Sequence, residues 1–155
     1  MIHKLTSHQT VDTTIEKVWD FFSNPGNLNL ITPPSLRFQI RSGDEVPIYN
    51  GQIIHYRIRI LPLVRVSWVT EIKNIVPLSS FMDEQRFGPY KFWLHHHQFV
   101  PSDNGVDIID TVNYSTGFYF FGEIVHYLWI KRQLAYIFRY RKERIKALVS
   151  SKKIL

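Results

Sequence analysis

The order of hydrophobic and polar positions changes character twice along the 155 residues. Lys4 to Thr10 alternates loosely, as a strand with one buried face does. Thr13-Thr14-Ile15-Glu16 then has the spacing of a capping box, and Ile15, Val18, Trp19 and Phe22 recur at the period of one buried helical face. Asn24-Pro25 interrupts that helix. Pro25 suits a first helical position after an Asn cap, so Gly26 to Ile31 predicts a short extra turn that Pro33-Pro34 ends.

From Ser35 to Ser115 the pattern becomes strand-like, rich in β-branched and aromatic residues. Leu36 to Arg41 is one predicted strand, followed by a loop over Ser42 to Asn50. Gly51 to Ile60 sets Ile54, Tyr56, Ile58 and Ile60 against His55, Arg57 and Arg59. Val64 to Ile75, Ser80 to Phe87, Lys91 to Val100 and Val106 to Tyr114 complete the set. Turns fall at Leu61-Pro62, Pro77, Gly88-Pro89 and Asp103-Asn104-Gly105. Spacings this short favour antiparallel hairpins. The helical period returns from about Glu123, with Ile130, Leu134, Ile137, Phe138, Ile145 and Leu148 on one stripe and no Gly or Pro to Leu155. A long antiparallel sheet curls, and this last helix carries the only apolar stripe long enough to cover its concave face. The expected class is α+β: strand, two short helices, six strands, long helix.

Composition narrows the chemistry. The length suits one domain over residues 1–155, with room for a core or a cavity. There is no cysteine, which removes disulfides, thiolate zinc cages and thiol nucleophiles. Neither a secretory signal nor a membrane-spanning stretch is legible, and the expected location is the cytoplasm. The net charge of +6 is uneven: Phe120 to Leu155 holds nine basic residues against two acids, so the rest of the chain is −1.

With the element order in place, the chain resembles the START-like, or SRPBCC, superfamily of helix-grip proteins, and within it the small bacterial members labelled polyketide-cyclase-like or cell-division-inhibitor-like. The resemblance rests on Ile15-Glu16-Lys17-Val18-Trp19-Asp20-Phe21-Phe22, on Asn27-Leu28 with Ile31-Thr32-Pro33, and on Phe81-Met82-Asp83-Glu84-Gln85 with Gly88-Pro89-Tyr90. It continues through Trp93, His95, His97 and Phe99, Asp110 with Tyr114, and Phe138 with Arg141. It implies a curved seven-stranded antiparallel sheet gripping the long helix around an interior cavity. Members bind lipids, sterols, polyketides or other largely apolar molecules, and a minority are enzymes.

His95-His96-His97 is not a three-histidine cluster. On a strand His95 and His97 share a face with Trp93 and Phe99, while His96 points the other way. The resemblance implies that the shared face is the concave one. Two histidines at i and i+2 would ligate a metal only if Asp83 or Asp110 converged on them; a hydrogen-bonded polar network is the preferred reading, and neither metal nor cofactor is expected. Asp83 and Gln85 share one strand face, and Asp110, Val112 and Tyr114 another. A carboxylate beside a histidine is an acid–base pair, but no nucleophile or cofactor loop accompanies it.

Arg141 lies on the apolar stripe of the last helix, where an unpaired guanidinium is costly. It either clamps a ligand carboxylate or closes a salt bridge with Asp83, Glu84 or Asp110, the internal bridge being preferred. Ser115 to Trp129, with Phe118, Tyr119, Phe120, Phe121 and Tyr127, reads as a gate or a plug. Lys131, Arg132, Arg139, Lys142 and Lys146 follow one helix flank; no nucleic-acid module accompanies them, and the stripe suits solvent or weak contact with an anionic membrane surface.

These readings converge on a non-catalytic binder of a small apolar molecule bearing one polar or acidic group. Trp93, Phe99, Tyr114 and Phe138 are the expected walls, and Asp83, Gln85, His95, His97, Asp110 and Arg141 the expected polar contacts. The rivals are a cyclase or dehydratase using His95 or His97 with Asp110, and an interaction module using the basic helix.

Overall fold

The computed structural model describes residues 1–61, 64–116 and 129–151. Its elements are β1 (His3–Val11), α1 (Ile15–Phe22), two 3-10 helices (Pro25–Ile31 and Pro34–Leu36), β2 (Gln39–Ser42), β3 (Ile53–Leu61), β4 (Val64–Val76), β5 (Ser80–Phe87), β6 (Phe92–Ser102), β7 (Gly105–Ser115) and α2 (Lys131–Ser150). The seven strands form one antiparallel sheet in the order β1-β7-β6-β5-β4-β3-β2. The expected class and element order therefore hold.

Local chemistry moves several boundaries. Thr14, not Thr13, caps α1: its hydroxyl accepts from the Lys17 N–H, which leaves Glu16 in the first turn but out of the capping-box position. Asn24 caps the next turn as its spacing predicts, accepting from Gly26 N–H at 3.0 Å, but that turn winds as a 3-10 helix. A second 3-10 helix follows at Pro34–Leu36 and ends on Arg37 at φ 44, so β2 starts at Gln39 rather than Leu36. The expected beginning of the last helix near Glu123, its end at Leu155, and residues 117–128 of the aromatic segment lie outside the described residues.

The sheet bends unevenly. Irregular register falls between Ile40 and Ser42, Arg59 and Leu61, Val69 and Thr70, and Lys73 and Val76, all on pairings among β2, β3, β4 and β5. Pairings of β6 with β5 and β7, and of β1 with β7, run without a shift. Bulges bend a strand and increase its twist, so the β2–β5 half curls away while the β6-β7-β1 half stays regular.

The two halves are filled differently. Over the regular half, Val18, Phe21 and Phe22 of α1 are buried, with Phe22 5.0 Å from Phe99 and Trp19 edge-on to Phe81 and Phe99. Ile145 and Leu148 of α2 join this core, while Phe138 and Leu134, about two and three turns before Ile145, face the curled half. Hydrogen bonds fasten α2 in place: Gln9 Nε2 donates to the Lys142 carbonyl at 2.9 Å, Arg144 Nε to the Leu30 carbonyl at 3.2 Å and Gln133 Nε2 to the Ile60 carbonyl at 3.2 Å. The helix is thus tied to β1, the first 3-10 helix and β3, and spans the concavity.

At the β6–β7 hairpin Asp103-Asn104 forms the loop and Gly105 takes φ 116, where any Cβ would overlap the Val11 carbonyl as the chain leaves β1. Gly105→Ala is expected to destabilise the protein by about 1–3 kcal/mol in urea unfolding. An unchanged midpoint would contradict this account of the turn.

Candidate functional site

Between the curled half of the sheet and the first half of α2 lies a cavity of about 180 Å³. One buried water needs roughly 10–15 Å³ on the same measure, so this space suits an organic molecule rather than a solvent site. Strand alternation builds its wall: Ile54, Tyr56 and Ile58 come from β3, and Trp68, Thr70 and Ile72 from β4. Phe38 and Ile40 close one side, Phe21, Phe22 and Leu28 another, and Leu134, Ile137 and Phe138 the helix side. The lining is largely apolar; Asn24, Asn27, Thr32, Thr70 and Gln133 add neutral polar groups, and the charged and titratable groups Asp83, His95, His97 and Arg141 gather at one end.

That end is a compact network. His97 Nε2 lies 2.7 Å from Asp83 Oδ2, and His95 Nε2 2.9 Å from Asp110 Oδ1. The pairs also cross: His95 Nδ1 is 3.2 Å from Asp83 Oδ2, and His97 Nδ1 3.0 Å from Asp110 Oδ1, although His97 Nδ1 makes no hydrogen bond there. Register explains the convergence, since Asp83 on β5 pairs with His95, and Asp110 on β7 with His97. The imidazoles are 3.7 Å apart between centroids; His97 stacks on Phe81 at 4.3 Å and His95 meets the edge of Phe138 at 5.7 Å. Trp93 Nε1 donates to Asp83 Oδ1 at 3.4 Å.

Arg141 stands over this network from α2. Its side chain is 11% exposed and its guanidinium lies 5.2 Å from the Phe138 ring centre. Nη1 is 3.7 Å from Asp110 Oδ1, beyond hydrogen-bond distance, and both Nη1 and Nε are buried without a partner. Of the carboxylates weighed for an internal bridge, Asp110 is the near one, and it is held by charge alone. Glu84 faces the other side of the sheet, where it pairs with Lys73.

The buried charges set one another's protonation. Burial would raise Asp83 and Asp110, but the charges and hydrogen bonds of His95 and His97 hold both carboxyls well below their ordinary range, with Arg141 assisting at Asp110. Burial would lower His95, but the Asp83 charge and hydrogen bonds to Asp110 and Asp83 raise it above its ordinary 6.5. The two carboxylates therefore face the Arg141 guanidinium as anions, and they favour the protonated form of His95.

Asp83, His95 and His97 offer ligand atoms within 4.8 Å of one another, the donor types a divalent ion takes. An ion there would have to replace the hydrogen bond between His97 and Asp83. Asp110, on the far side of both rings, is placed where a second carboxylate would orient ligating imidazoles.

Six of the ten expected site residues line the cavity: Asp83, Trp93, His95, His97, Phe138 and Arg141. The other four do not. The Gln85 amide grips the Gly88-Pro89-Tyr90 turn, accepting from Tyr90 N–H at 3.2 Å and donating to its carbonyl at 2.7 Å. Phe99 packs beneath α1, Tyr114 packs against Tyr90 and Trp93, and Asp110 sits behind the histidines. The sequence reading missed a second polar group: the Thr70 hydroxyl bonds the Tyr56 hydroxyl and accepts from Trp68 Nε1 at 3.1 Å. Burial and the nearby Asp83 charge push the Tyr56 phenol upward, so it stays neutral. The alternation of β3 had already put Tyr56 on the face of Ile54 and Ile58, which was the available signal.

No protein-family model matches the chain, and no curated protein matches it by sequence. Solved structures do share its architecture. Protein CV1439 from Chromobacterium violaceum aligns with a TM-score of 0.70 at 14% identity, over 94% of this chain and 96% of that one. Protein Ms6760 from Mycobacterium smegmatis gives 0.71 at 15% identity, over 96% and 92%. A point mutant of norcoclaurine synthase from Thalictrum flavum, in complex with a transition-state analogue, gives 0.69 at 15% identity, over 99% and 97%. Likeness at this identity shows the fold: the chain has the helix-grip architecture.

The pKa shifts fix the sign of the pH dependence. His95 is raised on folding, so its contribution is complete below pH 6.5 and lost as pH rises through the folded value; Asp83 is lowered, so its contribution is present above 3.8 and lost in stronger acid. Thermal stability is expected to fall from pH 6.5 upward, and His95→Gln should flatten that limb; equal slopes in both proteins would contradict the assignment. Asp110→Asn, which leaves His95 and Arg141 facing one carboxylate fewer, should cost about 3–5 kcal/mol in chemical denaturation. A cost below about 1 kcal/mol would mean that the cluster is not ionised.

Proposed function

We propose that the protein binds a small, mainly apolar molecule in the cavity between the sheet and α2, without transforming it. The observation that carries this reading is the division of the cavity into an extended aliphatic and aromatic wall and one charged end. An apolar ligand would displace water from the wall at roughly 25 cal/mol per Å² of apolar area buried, while its polar end would meet the Asp83, His95, His97 and Arg141 cluster. Lipids, sterols, polyketides and aromatic molecules all fit that description.

The acid–base alternative draws support from two histidines, each beside a carboxylate, at the cavity wall. Their placement favours holding over catalysis: the ring nitrogens are turned toward Asp83 and Asp110 rather than toward the open space. Arg132, Arg139 and Lys146 are exposed along α2, which supports weak attraction to an anionic membrane surface. Among the described residues no helix is long and apolar enough to cross a membrane.

Native mass spectrometry of gently purified protein should show a bound organic species that solvent extraction releases unchanged. The neutral fluorophore N-phenylnaphthylamine should bind, and Ile58→Trp, which fills the cavity from β3, should weaken it by about tenfold or more while the circular dichroism spectrum is retained. Unaltered affinity in that variant would place binding elsewhere; conversion of the extracted species on incubation would favour the enzyme.

A further inference from the structure

We infer that the ligand is a monoanion, an apolar body ending in a carboxylate, and that the Arg141 guanidinium, whose Nε and Nη1 are unmet, takes it. The inference rests on the binding reading above and adds the chemistry of the head group. Both nitrogens are buried and without a hydrogen-bond partner, on a residue that lines the cavity. Leaving such donors unmet is among the costliest arrangements in a folded protein. Neither neighbour meets the need. The Phe138 ring supplies a cation–π contact but accepts no N–H, and Asp110 Oδ1 stands 3.7 Å from Nη1 and is already shared between His95 and His97.

The polarity of the missing group follows from the other side of the site. Asp83 is already occupied by donors: Oδ2 faces both histidines and Oδ1 takes the Trp93 indole N–H. Both Asp83 oxygens are engaged while the Arg141 donors are open, which selects an acceptor. A guanidinium meets a carboxylate with charge and, along its Nε–Nη2 or Nη1–Nη2 edge, with two parallel hydrogen bonds, and an alcohol cannot reproduce that pairing or its charge. Phosphate offers the same edge with more charge and a larger hydrated head, which the aromatic surroundings of Phe138 and Trp93 disfavour.

The test uses matched probes on the full chain by titration calorimetry: decanoate against decanol, and naphthoate against naphthol. Each acid is expected to bind at least tenfold tighter than its alcohol. Arg141→Met should abolish that preference, with folding checked by circular dichroism, and Arg141→Lys should restore part of it. The comparison within the unaltered protein stands even if an Arg141 variant does not fold. Alcohols that bind as tightly as their acids, or a preference that survives in folded Arg141→Met, would overturn the carboxylate assignment and leave apolar binding intact. Binding of neither member of either pair, nor of the fluorophore, would overturn both.

Discussion

The structure turns on one constraint: two carboxylates, two histidines and an arginine share a nearly dry volume at the centre of the sheet. Each ion removed from water costs several kcal/mol, and only close opposite charge and satisfied hydrogen bonds offset that. Asp83 and Asp110 come from strands on either side of β6, and His95 and His97 stand between them. The β5-β6-β7 register is therefore specified twice, by apolar alternation and by charge. A shift of one residue would send both histidines to the outer face and leave the carboxylates buried alone.

This constraint also explains where the cavity lies. The strands that carry most of the charge cluster pair without irregularity on the β6-β7-β1 side, and α1 and the later part of α2 close over them with Phe22, Phe99, Ile145 and Leu148. The bulges accumulate on the pairings among β2 to β5. That half curls, and α2 bridges it with Leu134, Phe138 and Arg141 facing unfilled space. Arg141 stands at the border between packed core and cavity. It is close enough to Asp110 to be held by charge but not close enough to be satisfied by it, and the incompleteness is what gives the cavity a chemical direction.

Much of this was legible in the chain because it follows from periodicity. The period-two pattern from Ile54 to Ile60 and from Trp93 to Phe99 located whole strands, and the stripe through Leu134, Phe138, Ile145 and Leu148 located the covering helix. Arg141 interrupts that stripe, which is why it was identifiable before any contact was known. The histidine pairing followed from strand alternation alone. Features set by tertiary contact were less visible. A two-residue run of threonines does not say which one caps a helix, and the resemblance that singled out Gln85, Phe99 and Tyr114 does not say which side of a curved sheet is hollow. The Tyr56, Trp68 and Thr70 triad escaped because its members lie on two strands whose register, broken nearby by bulges, brings them together.

The account stands most directly on the charge state of the central pair. Isotope-edited NMR of the imidazole nitrogens resolves His95 from His97 and follows each through pH. The prediction is that both ring nitrogens of His95 carry protons at pH 6.5 and that it titrates above that value, held by Asp83 and Asp110. A His95 that is neutral at pH 6.5, with one nitrogen bare, would contradict the ionised cluster from which the register, the cavity and the role of Arg141 have been derived.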